Sequence, residues 1–238
     1  MSAVPHRAGP DPQRTTGYGD DPDQVVEWWT GGATGRPTVA LVHGGYWRPR
    51  FDRTHLRPAA EALHALGFPV ASLEYRRTPG DPHASASDVV AGLRAVAAGA
   101  GPAGVIAVGH SAGGHLALLA AVTEPGLVRT TVALAPVADV GLCDRLGLGE
   151  SAAQEYLGGP ASAHPDLDPA LLPAPAGPVT ILHGDRDDRV PFEVSESYVR
   201  QRPGPRLVGL PGADHFAPVD PWSGAWADVV AELRRVTG

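Results

Sequence analysis

"GVIAVGHSAGGHLALLAAV", residues 104–122, decides how the rest of the chain is read. Its first half is a short run of Val, Ile and Ala, the composition of a strand buried on both faces. Its second half, from Ala112 to Val122, is rich in Ala and Leu, which favour a helix. Between the two lies Gly109-His-Ser-Ala-Gly113, too short for anything but a sharp turn. Glycines two residues either side of Ser111 let such a turn pack tightly and leave the Ser111 hydroxyl projecting at the helix N-terminus. In so tight a turn His110 is expected to point away from the serine, and His115, one helical turn on, to pack behind it.

The same alternation extends in both directions. Further apolar runs bounded by Gly or Pro are "QVVEWW" (24–29), "TVALVH" (38–43), "FPVASLEY" (68–75), "TTVALAP" (130–136), "PVTILHG" (178–184) and "RLVGLPG" (206–212). Helical patterns span Thr54 to Leu66, Ala84 to Ala98, Phe192 to Arg200 and Pro221 to Val236. Strands alternating with helices predict an α/β fold, a mainly parallel central sheet flanked by helices on both faces. From about 136 to 178 the rhythm breaks, with frequent Gly, Pro and Asp and only "ESAAQEYL" (150–157) helical, which predicts a short cap-like insertion. Residues 1–22 are rich in Pro, Gly and Asp without periodicity and read as a flexible arm, leaving 23–238 as one domain.

Composition narrows the function. The chain of 238 residues is 43% hydrophobic and carries a formal charge of −7 without a Lys/Arg cluster, which argues against nucleic acid or an anionic membrane surface as partner. The single cysteine, Cys143, has no internal disulfide partner and reads as a buried filler. No apolar leader opens the sequence and "LALLAAV" (116–122) is too short to cross a bilayer, so a cytoplasmic location is expected.

In an open parallel sheet, ligands bind beyond the carboxyl ends of the strands, so the residues that follow each strand carry the chemistry. A serine hydroxyl is a weak nucleophile and needs a base oriented by a third group. "HGDRDDRVP" (183–191) offers Asp185, Asp187 and Asp188 just past a strand, among which composition does not choose. "GLPGADHFAPVDP" (209–221) then supplies His215 in the loop before the last helix. "HGGYW" (43–47) presents two glycines whose bare backbone N–H groups, Gly44 and Gly45, would form an oxyanion hole with the N–H of Ala112. No zinc or calcium ligand spacing is present, and no metal or organic cofactor is expected.

With "HGG" (43–45), "GHSAGG" (109–114), "HGDRDDRVP" (183–191) and "DHF" (214–216) in the order serine, acid, histidine, the sequence resembles the α/β-hydrolase superfamily from about residue 24 onward. The resemblance implies catalytic Ser111, Asp187 and His215, with Asp185 and Asp188 as loop residues. "HGGYW" together with "LEYRR" (73–77) looks like the arylformamidase, or kynurenine formamidase, branch, close to the hormone-sensitive-lipase-type esterases. That branch hydrolyses N-formyl-kynurenine to kynurenine and formate. The expectation is acyl transfer from a small amide or ester substrate to water, the alternatives being a short-chain carboxylesterase or a non-catalytic ligand-binding protein on the same fold. Tyr46, Trp47, Phe216 and Trp222 flank the catalytic loops and are expected either to wall the substrate or to pack those loops against the sheet.

Overall fold

The computed structural model describes residues 8–33 and 35–237. Its centre is a sheet of eight strands: β1 (Arg14–Gly17), β2 (Val25–Trp29), β3 (Thr38–Val42), β4 (Val70–Leu73), β5 (Val105–His110), β6 (Thr130–Leu134), β7 (Val179–Gly184) and β8 (Arg206–Leu210), in the order β1-β2-β4-β3-β5-β6-β7-β8. The β1–β2 and β2–β4 pairs are antiparallel and every pair from β4 to β8 is parallel, as the alternating pattern predicts. The seven apolar runs are β2 to β8.

Both faces are covered. On one face α1 (Arg57–Ala65) and α7 (Trp226–Thr237) bury Val39, Leu41, Ile106 and Val108 under Leu63, Val229 and Leu233. On the other, α2 (Pro82–Gly99) and α3 (Ala112–Thr123) cover Ala40, Val42, Ala71 and Ala107. α6 (Phe192–Gln201) lays Tyr198 against Ala133 and Ile181. Successive residues of one strand thus serve opposite cores, which is why the strands read as unbroken apolar runs.

Strand order reverses at β3. The chain steps from β3 outward to β4, then back across to β5, so the ends of β3 and β5 splay a crevice between them. His43-Gly44-Gly45 follows β3 and Ser111 follows β5, which places both at that crevice.

The expected arm needs correction over residues 14–17, where Arg14 to Gly17 pair in register with Trp28 to Val25. The Trp28 indole N–H donates to Thr16 Oγ1 at 2.8 Å and the Arg14 guanidinium stands 5.0 Å above the Trp28 ring. A polar four-residue edge strand has no hydrophobic signature, so its pairing is visible only beside β2. Residues 1–7 of the arm lie outside the described residues.

The insertion at 136–178 contains α4 (Val140–Arg145), two 3₁₀ turns and α5 (Leu148–Leu157), whose residues 149–151 take left-handed backbone with φ of 59°, 60° and 60°. Val140, Cys143, Tyr156, Leu157 and Leu167 from it join the core over α2 and α3. The final helix begins at Trp226 rather than at the expected Pro221, because residues 217–224 are taken up by a 3₁₀ turn and further turns.

Candidate active site

The strand–turn–helix of 104–122 folds as its sequence dictates. β5 ends at His110, Ser111 caps α3 with φ 55° and ψ −118°, and the helix starts at Ala112. A serine in this left-handed region is strained by about 1–3 kcal/mol and persists because its surroundings fix it. The Ser111 N–H donates to the Leu134 carbonyl at 2.9 Å, and the Ser111 carbonyl accepts from His115 and Val137 N–H at 3.1 and 3.2 Å.

Ser111 lines a pocket together with His215, His110 and Gly45. Its walls are Tyr46, Phe51, Phe216, His55 and Arg189. His215 stands in the loop after β8, and its Nδ1–H donates to Asp187 Oδ2 at 2.7 Å, which leaves Nε2 as the acceptor facing away from the acid. Asp187 is fully saturated. Oδ1 accepts from the Arg189 and Val190 N–H groups at 2.8 Å each, and Oδ2 also takes the His183 Nε2–H at 3.2 Å. Burial would raise the pKa of this carboxyl, but the hydrogen bonds from His183 and His215 and the nearby His215 charge outweigh it and hold the group well below the usual range. His183 is itself oriented by Ser195, whose hydroxyl meets Nδ1 at 2.7 Å. Of the three candidate aspartates, Asp187 is the one hydrogen-bonded to His215. Asp185 instead accepts the Gly212 N–H at 2.7 Å, and Asp188 is 43% exposed.

Gly44 and Gly45 meet the serine from the β3 side. A Cβ added to Gly44 would lie 2.9 Å from Ser111 Cβ, so the main chain approaches as closely as a glycine permits. Gly45 has φ +120° and no room for a side chain beside Phe51. Ala112 is the first residue of α3, where backbone N–H groups have no partner within the helix. A buried polar network sets the loop. His43 lies with Nδ1 2.7 Å from the Gly44 carbonyl and Nε2 2.7 Å from Glu74 Oε1, stacked on Tyr75 at 4.4 Å. Tyr75 donates its hydroxyl to the His43 carbonyl at 2.7 Å, while Arg53 and Arg77 pair with Glu74. The sequence marks "HGG" and "LEYRR" are therefore in direct contact.

Other expected site residues fall differently. Tyr46 and Phe216 line the pocket. Trp47 does not: φ of 54° at both Tyr46 and Trp47 turns the chain inward, and Trp47, 4% exposed, stacks on Tyr156 at 4.5 Å in the core. Trp222 is 63% exposed and is not among the residues that line the pocket. His110 does not point clear of the site. Its Nε2–H donates to the His215 carbonyl at 2.9 Å, tying the serine turn to the histidine loop. His115 packs as expected, with Nε2–H on the Leu167 carbonyl at 2.7 Å. Cys143 is buried in the core. Phe51, His55 and Arg189 went unassigned from sequence, because nothing in "RFDRTHLR" or "DDRVP" marks a pocket wall before the fold brings these segments together. Among the described residues, no group of three or more His, Cys, Asp or Glu is placed to hold a metal ion, and no helix is long and apolar enough to cross a membrane.

The sheet order and the loops at the β3–β5 crevice define the α/β-hydrolase fold. The chain belongs to the BD-FAE family, whose model matches residues 30–201. No curated protein matches the sequence. Similar solved structures include an acetyl ester-xyloside bifunctional hydrolase from Caldicellulosiruptor lactoaceticus, at 16% identity over 94% of this chain and 96% of that one, TM-score 0.77. Esterase B from Lactobacillus Rhamnosis aligns at 21% identity over 96% and 87% of the two chains, TM-score 0.76. A butyrate-bound thermophilic esterase from the Planctomycetes species Thermogutta terrifontis aligns at 21% identity over 93% and 92%, TM-score 0.70.

Proposed function

We propose that the protein is a carboxylesterase-type serine hydrolase acting on a small acyl substrate through an acyl-enzyme. The observation that carries this reading is His215, its Nδ1–H fixed on Asp187, lining one pocket with the strained Ser111. His215 Nε2 takes the proton as Ser111 Oγ attacks the substrate carbonyl, and Asp187 holds the tautomer and steadies the imidazolium. The N–H groups of Gly44, Gly45 and Ala112 receive the oxyanion of the tetrahedral intermediate. His215 then gives its proton to the leaving alcohol or amine, and water, activated by the same base, releases the acid. Esterase names among the structural relatives, one of them with butyrate bound, support a short acyl group.

A finer reading, cleavage of an N-formyl aryl amide as in the arylformamidases, draws on the resemblance of "HGGYW" and "LEYRR" and on the rings of Tyr46, Phe51 and Phe216 around the pocket. The test is labelling by a fluorophosphonate probe, followed by kcat/KM for p-nitrophenyl acetate, p-nitrophenyl butyrate and N-formyl-kynurenine, with Ser111→Ala as blank. Ester turnover and labelling, both lost in Ser111→Ala, are expected. An unlabelled, inactive wild-type protein would leave the ligand-binding alternative. A strong preference for the formyl amide would establish the finer reading, and its absence would remove it.

A further inference from the structure

Most polar groups around the pocket are already committed. His215 Nδ1–H is held by Asp187, and in the proposed mechanism its Nε2 serves the serine. His110 gives Nε2–H to the His215 carbonyl, and its Nδ1 is sealed from solvent. Arg189 offers donors only, and the Tyr46 hydroxyl bonds to it.

His55 differs. It sits in the 3₁₀ turn Arg53–Leu56, and its Nδ1–H donates to the Asp52 carbonyl at 2.6 Å. The ring hydrogen is therefore on Nδ1 and the lone pair on Nε2. Nε2 makes no hydrogen bond among the described residues, and it is not one of the buried atoms left without a partner, so it opens onto space, in a residue that lines the pocket. Burial, helped by the neighbouring His43, pulls the imidazole pKa down to about 4, which keeps the ring neutral at physiological pH. A residue lining the pocket thus carries an uncommitted ring acceptor, and Phe51 and Phe216 are among the side chains that line the same pocket.

We propose that His55 Nε2 is a specificity-determining acceptor that binds an N–H or O–H donor carried on an aromatic acyl or leaving group beside the scissile carbonyl. The inference rests on the serine hydrolase reading. A methoxy or alkyl group in place of the donor would leave Nε2 desolvated and unpaired, which is how a polar pocket rejects an analogue.

The experiment compares kcat/KM for matched pairs. 4-Hydroxyphenyl and 4-methoxyphenyl acetate carry the difference on the leaving group, and methyl 4-hydroxybenzoate and methyl 4-methoxybenzoate carry it on the acyl group. His55→Asn keeps a donor near Nδ1 and removes Nε2, while His55→Gln returns an amide oxygen near the Nε2 position. One neutral hydrogen bond corresponds to about fivefold, so the hydroxy-to-methoxy ratio should fall about fivefold in His55→Asn in one arm and recover in His55→Gln. The arm that moves identifies which half of the substrate carries the donor. An unchanged ratio in both arms, or an equal fall in Asn and Gln, would overturn the proposal while fluorophosphonate labelling of Ser111 keeps the hydrolase reading intact. Absence of labelling in the wild type would overturn both.

Discussion

Replacing Asp187 with Asn puts the assignment of the acid under strict test, because every lone pair of the carboxylate is used. Oδ1 holds two backbone N–H groups and Oδ2 two imidazole N–H groups. An amide has one acceptor oxygen and one NH₂. If the oxygen keeps Arg189 and Val190, the NH₂ faces His215 Nδ1, so the ring carries its hydrogen on Nε2, which can no longer accept a proton from Ser111. If the amide flips, two buried backbone N–H groups lose their partner at about 1–3 kcal/mol each, roughly 2–6 kcal/mol in all. Since about 1.4 kcal/mol is a factor of ten, the first orientation dominates by about thirtyfold or more. His183 tolerates it, as its Nε2–H also reaches the Val190 carbonyl at 2.8 Å. Asp187→Asn should therefore fold, hold KM nearly constant and lose kcat by about 10⁴. The assay is p-nitrophenyl acetate turnover beside a circular dichroism spectrum. A well-folded variant that loses less than about tenfold, or an equal loss in Asp185→Asn or Asp188→Asn, would refute the reasoning.

The same pair of proteins reports on acid stability. The folded carboxyl of Asp187 lies below its unfolded value of about 3.9, so its contribution is full above about pH 5 and fades as the pH falls toward the folded pKa. The difference in urea unfolding free energy between wild type and Asp187→Asn should accordingly shrink from pH 5 to pH 3, and a constant difference would contradict the shift. Gly45→Ala would place a side chain within van der Waals overlap of Phe51 at φ +120°. It should cost about 10²–10³ in kcat, and near wild-type turnover would remove Gly45 from the oxyanion hole. Trp47→Ala should cost about 3–5 kcal/mol, or about 6–20 °C in Tm, because the indole is buried against Tyr156. A raised KM with little change in Tm would return Trp47 to the pocket wall.

How far the sequence speaks depends on whether a signal is local. Each of β3 to β7 is buried along its whole length, so burial alone writes a continuous apolar run, while the edge strand β8 buries only Leu210 fully. Ser111 is legible because its turn needs glycines at fixed offsets. Asp187 needed the resemblance, since three aspartates in one loop are equivalent until His215 and two backbone N–H groups choose among them. The tryptophans misled for a related reason. Position near a loop does not give side-chain direction, and two consecutive left-handed residues send Trp47 inward. Glu74 meets His43, 31 residues away, and His183 meets Ser195, 12 residues away, so these contacts appear only once the elements are side by side.

Residues 14–17 give the sheet a short, polar, charged border. Without them the outermost strand would be β2, carrying Trp28 and Trp29 and a row of main-chain donors and acceptors facing water. Such a margin recruits strands from other copies of the chain. A gene trimmed to begin at residue 23, where composition draws the boundary, would thus bare the β2 margin to such pairing, and the four residues "RTTG" are what cover that side of the sheet, β8 forming the other edge.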